Sequence, residues 1–302
     1  MSGTILYGLP GPGLIELPGD GRQVSPLVPG SIDLSKLADG AQDEAIILAP
    51  PGTLERDYVL AQALRVLKPG APMTVFAPKD KGGSRLAKAL KRFGCDVSEE
   101  ARRHHRFCFV VRSRSPSNLD EAIAAGSPRL VTSLGLWSQP GVFSWDRLDP
   151  GTELLLETLP ELAGKGADLG GGIGVLGHKV LSRSAVTHLT LVEIDRRAVD
   201  AARRNLDDRR VHVIWQDVRR VGDALTGLDF VVMNPPFHDG GREDRALGVG
   251  FIRQAAAILR QGGVCWLTAN RHLPYEEPLA EVFAQVTLKA ERGGYKIFEA
   301  RK

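Results

Sequence analysis

Cysteine is scarce here. Cys95, Cys108 and Cys265 are the full complement of a 302-residue chain, and no two of them stand at C-x-x-C spacing. That excludes a disulfide framework and fits a reducing compartment. Long apolar runs are also missing. Nothing reaches the ~18 consecutive residues needed to span a bilayer. Met1 is followed by no basic-then-apolar leader, so a cytoplasmic protein with no membrane partner is expected. Charge of one sign is not in excess either. Lys and Arg total 39 against 36 Asp and Glu, a net charge of +3, so any nucleic-acid contact must come from local clusters. No spacing of His, Cys, Asp or Glu suggests a metal, and none is expected.

What is present is globular in character. Hydrophobic residues make up 43% and charged residues 25%, and the length suggests two domains. Residues 1–40 are rich in Gly and Pro and read as turns around short strand pieces such as Thr4–Tyr7. Ala45–Ala49 reads as a buried strand and Arg56–Leu67 as a helix ended by Lys68-Pro69-Gly70. Met73–Ala77 is a second strand, Gly83–Phe93 a second helix and Phe107–Val111 a third strand. Residues 112–129, rich in Ser and Pro, read as a linker around a short helix.

Part of this pattern returns later. Ile46–Pro51 aligns with Val231–Pro236, and Leu67–Gly70 followed by Val75–Ala77 aligns with Leu259–Gly262 followed by Leu267–Ala269. The one change of register falls in a loop, where insertions are tolerated. An internal duplication is expected, with a first domain over 1–125 and a second over 126–302. The copies differ in chemistry. The first has Ala49 and Gly52 where the second has Asn234 and Phe237, so the first reads as a non-catalytic relative.

The second domain carries a strand ending at Asp168-Leu169, a turn containing Gly170, Gly172 and Gly174, and a helix beginning at Val175. Glycine permits close backbone approach to a ligand, and a helix N-terminus offers free N–H groups. Glu193 ends the next strand, about 20 residues on, a distance suited to gripping ribose hydroxyls. Asp195 reads as the cap of a helix over Arg196–Asn205. Asp217, after the strand Val211–Trp215, is either an acceptor for an adenine amino group or a plain surface acid.

The run Phe230–Met233 reads as a buried parallel strand stopped by Pro235 and Pro236, which cannot donate to a sheet ladder. Ligands of open α/β sheets bind beyond the carboxyl ends of strands. Asn234, Pro235, Pro236 and Phe237 therefore place a side-chain amide, rigid carbonyls and an aromatic face at a crevice mouth. That set suits a planar molecule carrying an exocyclic –NH2.

The order of glycine turn, ribose acid, adenine-side acid and Asn-Pro-Pro-Phe resembles class I S-adenosylmethionine-dependent methyltransferases. Gly141–Ser144, Leu148-Asp149, Asn234–His238 and Ala269–Tyr275 are similar to the ribosomal-RNA guanine-N2 methyltransferase family. The resemblance implies an α/β fold of two tandem Rossmann-like methyltransferase domains, the first degenerate and the second catalytic. It implies S-adenosyl-L-methionine as cofactor, held by Asp168, Gly170, Gly172, Gly174, Glu193, Asp217 and Asn234. It implies ribosomal RNA, or the small ribosomal subunit, as partner, and catalysis by Asn234, Pro235, Pro236 and Phe237. One chain that already holds two related domains is expected to act as a monomer. Asn-Pro-Pro-aromatic also serves adenine-N6 and glutamine-amide methyltransferases. A non-catalytic RNA-binding assembly protein is the alternative of another class, against which the intact Asn234 and Phe237 argue. The basic cluster Arg102–Arg106 is either a solvated surface or a phosphate contact. Arg271 has the same two readings. The run from Arg203 to Arg210 is expected to be a solvated helix end, and His238, which adjoins the motif, either touches substrate or has no part in the site.

Overall fold

A computed structural model describes residues 3–222, 225–236, 238–239, 242–243 and 245–302. The chain divides into two compact units, Met1–Pro128 with Gln139–Gly141, and Arg129–Ser138 with Val142–Lys302.

The first unit contains β1 (Thr4–Tyr7), β2 (Arg22–Gln23), β3 (Glu44–Leu48), α1 (Thr53–Val66), β4 (Pro72–Pro78), α2 (Leu86–Arg92), β5 (Ser98–Arg102), β6 (His105–Val111) and α3 (Leu119–Gly126). Its sheet runs β2-β1-β3-β4-β6-β5. The first four of these are parallel neighbours, and β6 and β5 return antiparallel. Val59, Leu60, Ala63 and Leu64 on α1 face the buried side of the sheet, packing on Ile5, Ala45, Ile47 and Val75. Helix α1 ends where Pro69 bars Lys68 from helical backbone and Gly70 turns the chain at φ 84°.

Two expectations for this unit change. The segment after β6 is not a free linker. The Arg112 backbone N–H donates to Ala71 O and its Nε to Leu64 O. Helix α3 then packs on α1 so closely that a Cβ on Gly126 would lie 2.3 Å from Tyr58 Cβ. Low hydrophobicity resembles a linker in sequence, but here the backbone groups are paired. Strand β5 is the second difference. All five of its residues, Ser-Glu-Glu-Ala-Arg, are exposed, so no apolar alternation marks it. It exists because it completes an edge hairpin with β6.

The second unit contains β7 (Arg129–Val131), β8 (Leu136–Ser138), α4 (Pro150–Thr158), β9 (Gly164–Leu169), α5 (Val175–Leu181), β10 (Val186–Glu193), α6 (Arg196–Asn205), β11 (Val211–Trp215), β12 (Leu228–Met233), β13 (His238–Asp239), β14 (Arg242–Glu243), α7 (Arg245–Ile258), β15 (Leu259–Asn270), α8 (Glu276–Val282), β16 (Gln285–Arg292) and β17 (Tyr295–Arg301). The main sheet runs β11-β10-β9-β12-β15-β17-β16, parallel except for β17 and β16. Helices cover both faces. Phe251, Ile252 and Ala255 pack with Val231 and Met233 on one side, and Leu155, Leu176 and Val199 with Val232 and Leu191 on the other.

Helix α7 ends at Ile258 and β15 begins at once at Leu259. Its register shifts between the partners of Leu228 and Phe230, and Gly262 sits at φ 74° within the irregularity. A left-handed glycine inside a bulge carries the same sequence mark as a helix C-cap.

Register decides where the site lies. Val192 and Met233 both pair with Leu169, and Leu267 pairs with Met233. The carboxyl ends of β10, β9, β12 and β15 therefore share one row. The next row holds Glu193, Gly170 and Asn234 side by side.

Candidate active site

The glycine turn after β9 is left-handed at Gly170, Gly172 and Gly174, with φ of 69°, 55° and 91°. A side chain is strained in that region, so glycine is required. Gly172 also faces open space, with nothing within 4 Å of where a Cβ would stand. The turn is thus bare backbone on a pocket wall, and it leads into α5.

Glu193 is tied to this turn. Its Oε2 accepts the Gly172 N–H at 2.9 Å, and its Oε1 accepts the N–H groups of Ile194 and Asp195 at 2.8 and 2.9 Å. Burial raises its pKa and the nearby Asp195 charge adds to that, while the three backbone donors oppose it. Oε2 has only one donor among the described residues, so it keeps acceptor capacity, although neither Glu193 nor Asp168 lines the pocket itself.

Asp168 lies behind the turn. It is fully buried, and neither carboxylate oxygen has a hydrogen-bond partner among the described residues. Burial, then the charge of Glu193, push its pKa up to about 7. The Gly177 amide opposes this from outside hydrogen-bonding geometry.

Asn234 is held from an unexpected direction. Its Nδ2 donates to Asp149 Oδ2 at 3.0 Å and to Thr152 Oγ1 at 2.9 Å. A carboxylate can only accept, so this pairing fixes which end of the amide is nitrogen. Asn234 Oδ1 is thereby turned away from Asp149. Asp149 Oδ2 also caps α4 by accepting the Thr152 N–H at 2.9 Å. Pro150 at the first helical position and the close packing of Gly151 on Tyr295, 2.6 Å from a Gly151 Cβ to the ring, hold that helix start in place. Leu148-Asp149-Pro150 reads in sequence as a helix start. Nothing local reveals that its acid reaches across to Asn234.

These pieces surround a pocket of about 490 Å³, part of it open to solvent. Gly170, Gly171, Gly172 and Ile173 form one wall, Asp149, Thr152 and Asn234 another, and Phe143, Ser144, Arg147 and Leu148 the rim. Phe143 is 63% exposed at the rim, beside Ser144 at φ 50°, an uncommon conformation for a residue with a side chain.

The other expected residues fall differently. Gly174 caps α5 and is not on the pocket wall. Asp217 is also off that wall. Its Oδ1 caps a 3-10 turn over Val218–Arg220, both oxygens take the Arg219 guanidinium, and the bond to Arg219 holds its pKa low. Asp195 caps α6. Pro235 is buried and Pro236 half-buried at the end of β12. Phe237, Gly240 and Gly241 lie outside the described residues, as does the side chain of His238. Arg271 pairs with Glu291 at 2.8 Å. Arg210 is not a simple solvated end: its guanidinium binds Asp208 and donates to the carbonyls of Leu181, Arg183 and Val186. Among the described residues no cluster of His, Cys, Asp or Glu is placed to hold a metal, and no helix is long and apolar enough to cross a membrane.

A parallel sheet closed by an antiparallel pair, with a glycine turn on its first strand and Asn-Pro-Pro on its fourth, defines an α/β Rossmann-like methyltransferase. Residues 133–299 match the methyltransferase small domain family. The chain is 31% identical to "Ribosomal RNA small subunit methyltransferase C" of Shewanella loihica, over 86% of this chain and 77% of that protein. It is 32% identical to the protein of the same name from Pseudomonas paraeruginosa, over 99% of this chain and 94% of the relative. Among solved structures it resembles the T. thermophilus 16S rRNA N2 methyltransferase RsmC in complex with AdoMet and guanosine. That match has a TM-score of 0.73 and 27% identity, and covers 89% of this chain and 75% of the other. The chain belongs to the ribosomal RNA small subunit methyltransferase C family.

Proposed function

We propose that the chain transfers a methyl group from S-adenosyl-L-methionine to the exocyclic N2 of a guanine in small-subunit ribosomal RNA. The observation that carries this is the pinned Asn234 amide, whose oxygen has no partner among the described residues and stands in the row of Gly170. The relative from T. thermophilus, in complex with AdoMet and guanosine, supports the same cofactor and base.

The residues fit the cofactor. Gly172 leaves room for close approach, Glu193 Oε2 keeps a lone pair for a hydroxyl, and the unpartnered Asp168 beneath them favours a cationic ligand. When bound, the cofactor supplies a methyl group already activated on a positive sulfur. The chain's task is to present the acceptor. A guanine amine is a weak nucleophile because its lone pair is delocalised into the ring. Asn234 Oδ1 and the Pro235 carbonyl accept the two N–H bonds, which directs the lone pair out of the ring plane. Holding the amine in line supplies the main acceleration. Phe237 stacks on the base, worth roughly 1–3 kcal/mol. No strong base is needed, since the proton becomes acidic once the nitrogen is alkylated. Presenting a base edge this way requires an unpaired or flipped nucleotide.

The first unit is proposed to be a degenerate copy of the second, with the domains drawn at 1–125 and 126–302. The strand order β1-β3-β4-β6-β5 parallels β9-β12-β15-β17-β16. Helices α1 and α7, each of 14 residues, occupy the same place between matched strands, which supports that reading. The protein is proposed to act as a cytoplasmic monomer. Methylation assays on small-subunit RNA, on DNA and on release-factor protein test the substrate. Transfer to RNA alone is expected, and transfer only to adenine or to protein would refute the guanine reading.

A further inference from the structure

The first unit's own strand ends are closed as a ligand site. Arg56, 2% exposed, fills the place beyond β3, donating to Pro51 O at 2.9 Å and to Thr53 Oγ1 at 3.3 Å. A Cβ on Gly82 would lie 2.7 Å from its guanidinium, so little space remains there. Yet the rim of this filled crevice is strongly basic. Strand β6 runs antiparallel to β4 with His105 opposite Pro78, which brings the β5–β6 hairpin tip level with the carboxyl ends of the parallel strands. The Lys79 N–H donates to His104 O at 2.9 Å, joining the tip to the turn after β4.

We infer that the hairpin tip Arg102–Arg106, with Lys79, forms a phosphate-contacting surface that binds the backbone of the substrate RNA. The inference rests on the RNA reading above and adds to it a second point of contact, carried by the first unit.

Several observations carry it. Arg102, Arg103, His104 and Lys79 are exposed, and His105 and Arg106 are half-buried. The two turn residues, Arg103 and His104, both stand in left-handed backbone at φ 47° and 60°. Two-residue hairpins of this kind favour Asn-Gly, which relieves that strain, and this chain instead keeps an arginine and a histidine there. The Arg102 guanidinium is set firmly, lying 4.0 Å over the Phe107 ring, which itself stacks on Phe76 at 4.9 Å. A stacked guanidinium keeps its edge donors for phosphate oxygens. The positive charge is offset only in part, with Glu99, Glu100 and Asp80 beside Arg102, Arg103, Arg106 and Lys79. Glu99 meets Arg106 only at 3.8 Å, and Arg103 donates to the neutral carbonyl of Gly13. Overall net charge is only +3, so a concentrated patch is where RNA affinity would be placed.

The test compares the full chain with a variant carrying Arg102→Gln, Arg103→Gln and Arg106→Gln, and with the corresponding triple lysine variant. Methyl transfer to small-subunit RNA and RNA binding are measured from 50 to 200 mM salt. Neutralising three phosphate contacts should reduce the log–log salt slope by about 2–3 and raise the RNA KM roughly tenfold, with kcat and cofactor affinity unchanged. The lysine variant should keep the slope, which separates lost charge from lost folding. If the wild type methylates RNA and the glutamine variant keeps both its KM and its slope, the surface is only solvated and the inference fails. If the wild type methylates no RNA, it is the enzymatic reading that fails.

Discussion

Removing Asp149 should disable the enzyme without touching its cofactor. Asp149 Oδ2 does two things: it caps α4 through the Thr152 N–H, and it fixes the Asn234 amide through Nδ2. In Asp149→Ala both are lost. The cap is worth ~1 kcal/mol of stability, or roughly 2–4 °C in Tm for a domain of this size. The bond to Asn234 involves a charged acceptor and is worth roughly 1.5–3 kcal/mol. Without it only Thr152 Oγ1, at 2.9 Å, orients the amide. A hydroxyl can donate as well as accept, so it tolerates either end of the amide. The expected fall in kcat is therefore about 10- to 100-fold, measured with labelled cofactor on small-subunit RNA, while cofactor affinity by calorimetry stays within about twofold. Asp149→Ser separates the two roles. Serine caps helices well, so Tm should recover, but its shorter side chain lacks a carboxylate and turnover should not. Turnover that returned together with Tm would mean Asp149 is no more than a cap.

Glu193→Ala should weaken cofactor binding first and leave kcat at saturating cofactor largely intact, and unchanged cofactor affinity would reassign the ribose contact. Asp168 makes a pH prediction. Its folded pKa, about 7, lies above the ordinary carboxylate value, so the folded state favours the protonated acid. The resulting destabilisation is absent below the unfolded pKa, grows as pH rises from there to about 7, and is constant beyond. In the cofactor-free protein, Asp168→Asn should therefore raise Tm at pH 8 and change it little at pH 4. A Tm gain equal at both would show that the carboxyl is not ionising in the buried site.

The chemistry-bearing residues were legible where their signal is local. Gly170, Gly172 and Gly174 announce a turn by spacing. Glu193 stands at a strand end, and Pro235 and Pro236 mark where β12 must stop. The strands α5 and α6 alternate with, β9 to β11, followed from apolar periodicity for the same reason. What sequence could not show depends on three-dimensional pairing. Asp149 reaches Asn234 only because α4 starts beside β12, and no local pattern encodes that approach. Strand β5 has no buried face to give it away. The bulge at Arg260–Gly262 imitates a helix end, because glycine at positive φ serves both. Asp217 shows the reverse case. Its position after β11 suited a ligand, but Arg219, two residues on, engages both its oxygens.

Inosine differs from guanosine only in lacking the 2-amino group, and it gives the most direct measurement. Small-subunit RNA should be methylated by the wild-type chain, digested and read by mass spectrometry, then compared with RNA carrying inosine at the modified position. The account predicts a single N2-methylguanosine with guanine present, none with inosine, and none from Asn234→Ala despite normal cofactor binding. Methylation that survives the inosine replacement, or that appears on adenine, would contradict it.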